Sequence, residues 1–172
     1  MNPGLVWGAT PAERARRLPC DELEPGGLQA DRAISIDAAP YLVYAWLCQL
    51  RVAPYSYDLI DNLGRRSPRT RDPGLTTLAA GQRFMSVFEL VEFIPGQCIT
   101  LRADRVSVTY AVFPEGAGTR LVVRVRFRLP RPIAHPVAFG DLLMTRKQLL
   151  TLKELAEAEQ RGQSTESGGQ SG

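Results

Sequence analysis

Apolar and polar residues alternate from Arg120 to Leu129, broken only by Val122. Leu121, Val123, Val125, Phe127 and Leu129 take one face; Arg120, Val122, Arg124, Arg126 and Arg128 take the other. Period two predicts a half-buried strand with an arginine stripe facing solvent. Val106, Val108, Tyr110 and Val112 alternate in the same way, and Phe84, Ser86, Phe88 and Leu90 alternate with Met85, Val87, Glu89 and Val91. Ile99–Ala103 reads as one more strand, and Asp31–Ile36 as the first, with Ile34 and Ile36 on a shared face. Turns are predicted at Pro95-Gly96, at Ala103-Asp104 and over Pro114–Gly118.

Helical spacing appears in two places. Asp37 is placed to cap a helix with Ala38, Ala39 and Pro40 in its opening turn, and Val43, Trp46, Leu47 and Leu50 facing inward. A second short helix follows Ser56 through Asp58, Leu59, Ile60 and Leu63, and Gly64 ends it. Pro130, Pro132 and Pro136 delay the last helix to about residue 136, from where it runs to about Gln160. Leu142, Leu149, Leu152 and Ala156 form its stripe, broadened by Phe139, Leu155 and Met144. Strands and helices are segregated along the chain, which predicts an α+β fold with the long helix laid on an antiparallel sheet.

The flanks differ in character. Residues 1–30, rich in Gly, Pro, Arg and Glu, read as an N-terminal extension, with a short helix at Pro11–Leu18 capped by Thr10. Residues 161–172 hold almost no apolar surface and read as a flexible tail. The folded domain is then 31–160.

Composition narrows the classes. A chain of 172 residues, 44% hydrophobic and 23% charged, builds one domain with a proper core. A net charge of +3, and an arginine stripe without interleaved aromatics, argue against a nucleic-acid platform. The longest apolar run, Ala38 to Leu50, is too short to span a membrane, so no stable membrane insertion is expected. Met1 to Thr10 lacks the pattern of a signal peptide. With Cys20, Cys48 and Cys98 odd in number and widely spaced, the expectation is reduced thiols in the cytoplasm. A single histidine and no CxxC leave no expected metal site, and no GxGxxG, P-loop or HExxH signature points to a cofactor.

Several segments together resemble a known superfamily. Ile34-Ser-Ile-Asp-Ala-Ala-Pro with Val43 and Trp46-Leu47, then Tyr55-Ser-Tyr-Asp followed by Asn62-Leu63, resemble the opening strand and helices of the SRPBCC superfamily. Gly118-Thr-Arg-Leu-Val-Val-Arg-Val-Arg resembles its penultimate strand. Met144-Thr-Arg-Lys-Gln-Leu-Leu, with Lys153 and Leu155-Ala-Glu, resembles its C-terminal helix. The group holds polyketide cyclase/dehydrase and START-like lipid-transport proteins. The resemblance covers about residues 31–158 and implies the helix-grip fold: a curved antiparallel sheet wrapped around a long C-terminal helix, with two short helices after the first strand and a cavity between sheet and helix. It implies no single reaction, and leaves open whether the protein is an enzyme.

Under that reading the protein binds a small hydrophobic or amphipathic molecule, lipid or polyketide-like, as a monomer or homodimer. Trp46, Tyr55, Tyr57, Phe84, Phe88, Tyr110, Phe127, His135 and Phe139 are the candidate ligand-binding residues. Trp46, Tyr57, Phe88, Tyr110 and Phe139 in particular are expected on one pocket wall, with a tyrosine hydroxyl orienting a ligand carbonyl. His135 could act as a base only with a partner, for which Asp141 is the candidate. The arginines at 65, 66, 69 and 71 read as a solvated loop or as a positive rim over the cavity mouth. One alternative is an aromatase/cyclase-like enzyme that folds a polyketide chain and assists with acid or base groups. Another is a non-catalytic interaction module whose interior is filled, favoured by a cavity below about 300 Å³.

Overall fold

The computed structural model describes residues 4–56 and 66–168, with side chains described through residue 166. The second helix expected after Ser56, and Tyr57 with it, lie outside the described residues. Seven strands form one open sheet in the order β1-β2-β7-β6-β5-β4-β3. They are β1 Val6–Trp7, β2 Leu28–Ile36, β3 Arg83–Phe84, β4 Phe88–Ile94, β5 Cys98–Ala103, β6 Val106–Glu115 and β7 Gly118–Phe127. All neighbours pair antiparallel except β1, which runs parallel to β2. Between β2 and β3 the described residues form α3 (Pro40–Cys48) and two short 3-10 turns. The last element, α4 (Arg131–Gly168), packs on the sheet, giving an α+β helix-grip arrangement.

The alternation in β7 places its side chains as expected. Leu121, Val123, Val125 and Phe127 join the main core with Leu149, Leu152, Leu155 and Ala156 of α4 and with Val43, Trp46 and Leu47 of α3. Burying each large aliphatic side chain there contributes about 1.5–3 kcal/mol.

The opposite face of β7 is not a solvent face. The chain before β2 forms α1 (Pro11–Ala15) and α2 (Cys20–Leu23) and covers it. Leu18 and Cys20 pack there on Ala33, Cys98, Ala111 and Val122 as a second small core. Thr10 caps α1 as expected, in a reciprocal capping box with Glu13. The arginine stripe holds this segment down. Arg124, 1% exposed, donates to Asp31 at 2.7 Å, to Asp21 at 2.8 Å and to the carbonyls of Glu13, Arg14 and Arg16. Arg120 pairs with Glu13 at 2.7 Å, Arg126 reaches the Glu24 carbonyl, and Arg128 pairs with the Glu24 carboxylate. An alternating strand fixes which residues share a face, and cannot show that a segment a hundred residues away covers it. Gly8 makes the turn into the segment: at φ +70°, with a would-be Cβ 2.2 Å from the Ala33 carbonyl, it accepts no side chain.

Four local expectations change. The strand predicted through residues 84–91 is a hairpin: Phe84 pairs with Phe88, and Met85 and Ser86 turn the chain at φ 47° and 66°. Both phenylalanines therefore stay on the inner face. The strand expected first, from Asp31, is β2 and begins at Leu28. Asp37 does not cap α3; Glu157 and Gln160 of α4 accept from the N–H groups of Asp37 and Ala39 instead. Finally, α4 starts at Arg131 and continues to Gly168, past the end expected at Gln160. Pro132 lies in its first turn, where no intrahelical N–H is needed, and Pro136 gives up one helical bond just beyond it.

Candidate functional site

The inner face of the sheet and α4 do not close completely. Between them lies a cavity of about 290 Å³, walled by Phe88, Val106, Val108, Tyr110 and Val125 of the sheet, Met85 and Pro54 of the connections, and Asp141, Met144, Thr145 and Gln148 of α4. Val87 and Met144, both exposed, stand at its edge with Ser56. The walls are mostly apolar because β-strand alternation sends valines inward. The polar groups come from the helix: Asp141, Thr145 and Gln148 follow one another at i, i+4 and i+7 and so share one face.

These groups are bonded to one another. Tyr110 donates its hydroxyl to Gln148 Oε1 at 2.7 Å, and Gln148 Nε2 donates to the Pro54 carbonyl at 2.7 Å and lies 3.3 Å from Met85 Sδ. Thr145 donates to Asp141 Oδ1 at 3.1 Å. Asp141 Oδ2 accepts from Arg32 at 3.2 Å. Arg32 projects inward from β2 with no exposed side-chain surface; its terminal nitrogens also donate to the carbonyls of Gly4, Leu5, Asp31 and Ala138, while its buried Nε–H has no partner. The N-terminal segment thus helps hold the arginine that holds the aspartate. Burial pushes the Asp141 carboxyl up, against the pull of the Arg32 guanidinium and the Thr145 hydrogen bond. Burial also raises Tyr110 well above the usual phenol range, so its proton stays on.

Of the sequence candidates, Phe88 and Tyr110 share the cavity wall. Trp46 does not: it is buried between α3 and α4, donates to Glu159 at 2.9 Å and meets Tyr55 edge-on at 6.0 Å. Phe84 and Phe127 are buried in the main core. Phe139 is half exposed, because it lies one position off the buried face of α4 that runs through Ala134, Ala138, Thr145 and Gln148. His135 is half-buried in the first turns of α4, and Asp141 is bonded to Arg32 and Thr145 rather than to it. Tyr55, at φ 55°, lines a separate cleft of about 420 Å³ with Arg66, Arg69, Lys147 and Thr151. Of the loop arginines, Arg69 pairs with Glu154 and Arg71 with Glu159, while Arg65 lies outside the described residues. Sequence reasoning missed Arg32, Thr145 and Gln148. The signal was there: Arg32 shares a strand face with Ile34 and Ile36, and the polar triplet interrupts the leucine stripe of α4.

Among the described residues no three His, Cys, Asp or Glu side chains gather as metal ligands, and no helix is long and apolar enough to cross a membrane. Cys20, Cys48 and Cys98 are free and buried, with burial raising all three thiols.

No family model matches this chain, and no curated protein is similar to it. Solved structures are. The chain resembles an AHSA1-like protein from Rhizobium etli at 16% identity, over 78% of this chain and 84% of that one, with a TM-score of 0.47. It resembles the Aha1 dimer from Colwellia psychrerythraea at 16% identity, over 75% and 96%, with a TM-score of 0.43. A Polyketide_cyc-like protein from Corynebacterium glutamicum matches at 20% identity, over 86% and 98%, with a TM-score of 0.37. These neighbours are AHSA1-like and polyketide-cyclase-like members of the SRPBCC superfamily. At such scores the likeness is one of general arrangement, and the helix-grip reading rests on this chain's own strand order and helix.

Proposed function

We propose that the protein binds a small, largely apolar molecule in the cavity between β4, β6, β7 and α4. The observation that carries this is the cavity itself: apolar walls from three strands, β4, β6 and β7, with one convergent polar cluster from the helix, the usual make-up of a ligand site. Its volume of about 290 Å³ falls just under the roughly 300 Å³ at which ligand pockets begin, so size alone leans toward the filled interaction module and the binding reading rests on the lining. A cavity of about 150 Å³ takes one benzene. Twice that admits a body of about twelve heavy atoms, a one- or two-ring molecule rather than a long acyl chain. Three free thiols are in keeping with a reducing compartment such as the cytoplasm.

A second reading has one observation behind it. A cyclase-like enzyme needs an acid or base inside the cavity, and Asp141 is an ionisable group there, about a quarter exposed. In this reading Asp141, positioned by Arg32, would take the proton.

The binding reading is tested with 2-naphthol, a two-ring probe of eleven heavy atoms, followed by its fluorescence. The wild-type protein binds it, and Val108→Trp, which fills the cavity from β6, does not while keeping its native circular dichroism. Equal binding by Val108→Trp, or a wild-type protein that binds nothing, overturns the reading.

A further inference from the structure

The ligand class follows from a count of the hydrogen atoms on the polar wall, on the reading that the cavity is a binding site. The Pro54 carbonyl can only accept, so the nitrogen of the Gln148 amide must face it, and Oε1 faces Tyr110. Tyr110 must then be the donor in that pair, and its one proton is used. Thr145 gives its proton to Asp141. Asp141, held by the Arg32 guanidinium, accepts only, and Arg32 directs both terminal nitrogens to the carboxylate and backbone carbonyls. Gln148 directs its second Nε2–H to Met85 Sδ at 3.3 Å, and the Arg32 Nε–H, which has no partner, is buried away from the cavity lining. What remains toward the cavity is acceptor capacity: further lone pairs on the Asp141 carboxylate, with those of the Tyr110 and Thr145 oxygens. A ligand carbonyl or carboxylate brought against this wall would meet oxygen lone pairs and lose its own hydration. The Arg32–Asp141 pair is neutral as a whole, so a cationic head would bring an uncompensated charge into a buried site.

We infer that the cavity selects a neutral hydrogen-bond donor: a compact one- or two-ring molecule carrying a hydroxyl or a neutral N–H that donates to Asp141 and its neighbours. This reverses the expectation of a tyrosine hydroxyl that orients a ligand carbonyl. Tyr110 serves as an acceptor for the ligand because Gln148 has taken its proton.

Five single-ring probes separate the possibilities: benzyl alcohol and aniline as neutral donors, acetophenone as an acceptor, benzoate as an anion and ethylbenzene as an apolar control. Each is titrated into the full chain at pH 7 and followed by methyl NMR at Val108 and Val125. The two donors are expected to bind roughly tenfold tighter than acetophenone, the size of one satisfied against one repelled hydrogen bond. Benzoate is expected to leave the Val108 and Val125 methyls unshifted. Asp141→Asn, whose amide can turn an N–H toward the cavity, is expected to narrow the donor-to-acetophenone ratio. Should that variant fail to fold, the wild-type ratio decides alone. Equal binding of donors, acetophenone and ethylbenzene, or a preference for acetophenone or benzoate, overturns the donor rule while the cavity reading stands. Binding of none of the five overturns both.

Discussion

Replacing Arg124 by methionine keeps much of the side chain's length and removes only its guanidinium. The structure places that group between β2, β7 and the N-terminal segment, with two carboxylates and three carbonyls on it. The carbonyls of Glu13, Arg14 and Arg16 belong to exposed or half-buried residues, so when the segment loosens they can turn to water and their loss is partly made good. Asp31 cannot do so. Its side chain is 1% exposed, and it would keep only Gln29 at 2.8 Å and Arg14 at 3.6 Å. Breaking a buried pair costs about 3–5 kcal/mol, and the two remaining partners put this case at the lower end, about 3 kcal/mol. Urea unfolding measures the loss, which corresponds to a fall in Tm of roughly 6–12 °C for a chain of this size. Limited proteolysis is expected to cut between residues 9 and 24 in the variant well before the wild type. The double variant Arg124→Met/Asp31→Leu is expected to recover part of the loss, since it removes the orphaned charge as well. A loss under about 1 kcal/mol with an unchanged cleavage pattern would refute the argument that the stripe clamps the N-terminal segment.

Two further predictions concern the same two faces. Glu13 is held at about 2 by its bond to Arg120, below the ordinary value of 4.5. Its contribution is therefore complete above about pH 4.5 and lost as pH falls toward 2, so Glu13→Gln is expected to flatten the fall in the urea midpoint over that window. On the inner face, Phe84→Ala removes a fully buried ring of β3 and is expected to cost about 3–5 kcal/mol. Phe139→Ala, at a half-exposed position, is expected to stay within about 0.5 kcal/mol in the same measurement.

Legibility in the sequence followed the range of the interactions. The faces of β7 were readable because alternation is local, and the same holds for the capping box at Thr10 and the glycine turn at Gly96. The hairpin at Met85-Ser86 was not, because two non-glycine residues occupy the left-handed region there, and Met85 is held by its N–H bond to the Leu50 carbonyl, a contact across 35 positions. The role of Arg124 depended on α1 lying above it, about 110 residues away. Phe88, the first residue of β4, and Tyr110, mid-strand in β6, reached the cavity because both face inward. Trp46 was drawn instead to Glu159, and Phe139 falls beside the buried face of α4 rather than on it. The polar cluster joins β2, β6 and α4; its spacing on α4 and the inward place of Arg32 on β2 were visible in one dimension, but their meeting was not.

The most direct test of the account is a methyl-resolved NMR titration of the full chain with 2-naphthol. The account predicts saturable shifts at Met85, Val106, Val108, Val125, Met144 and Thr145, the methyl groups of the cavity wall. It predicts none at Ala33, Ala111 and Val122 beneath the N-terminal segment. Shifts confined to that outer face, or a spectrum unmoved at saturating probe, would contradict it.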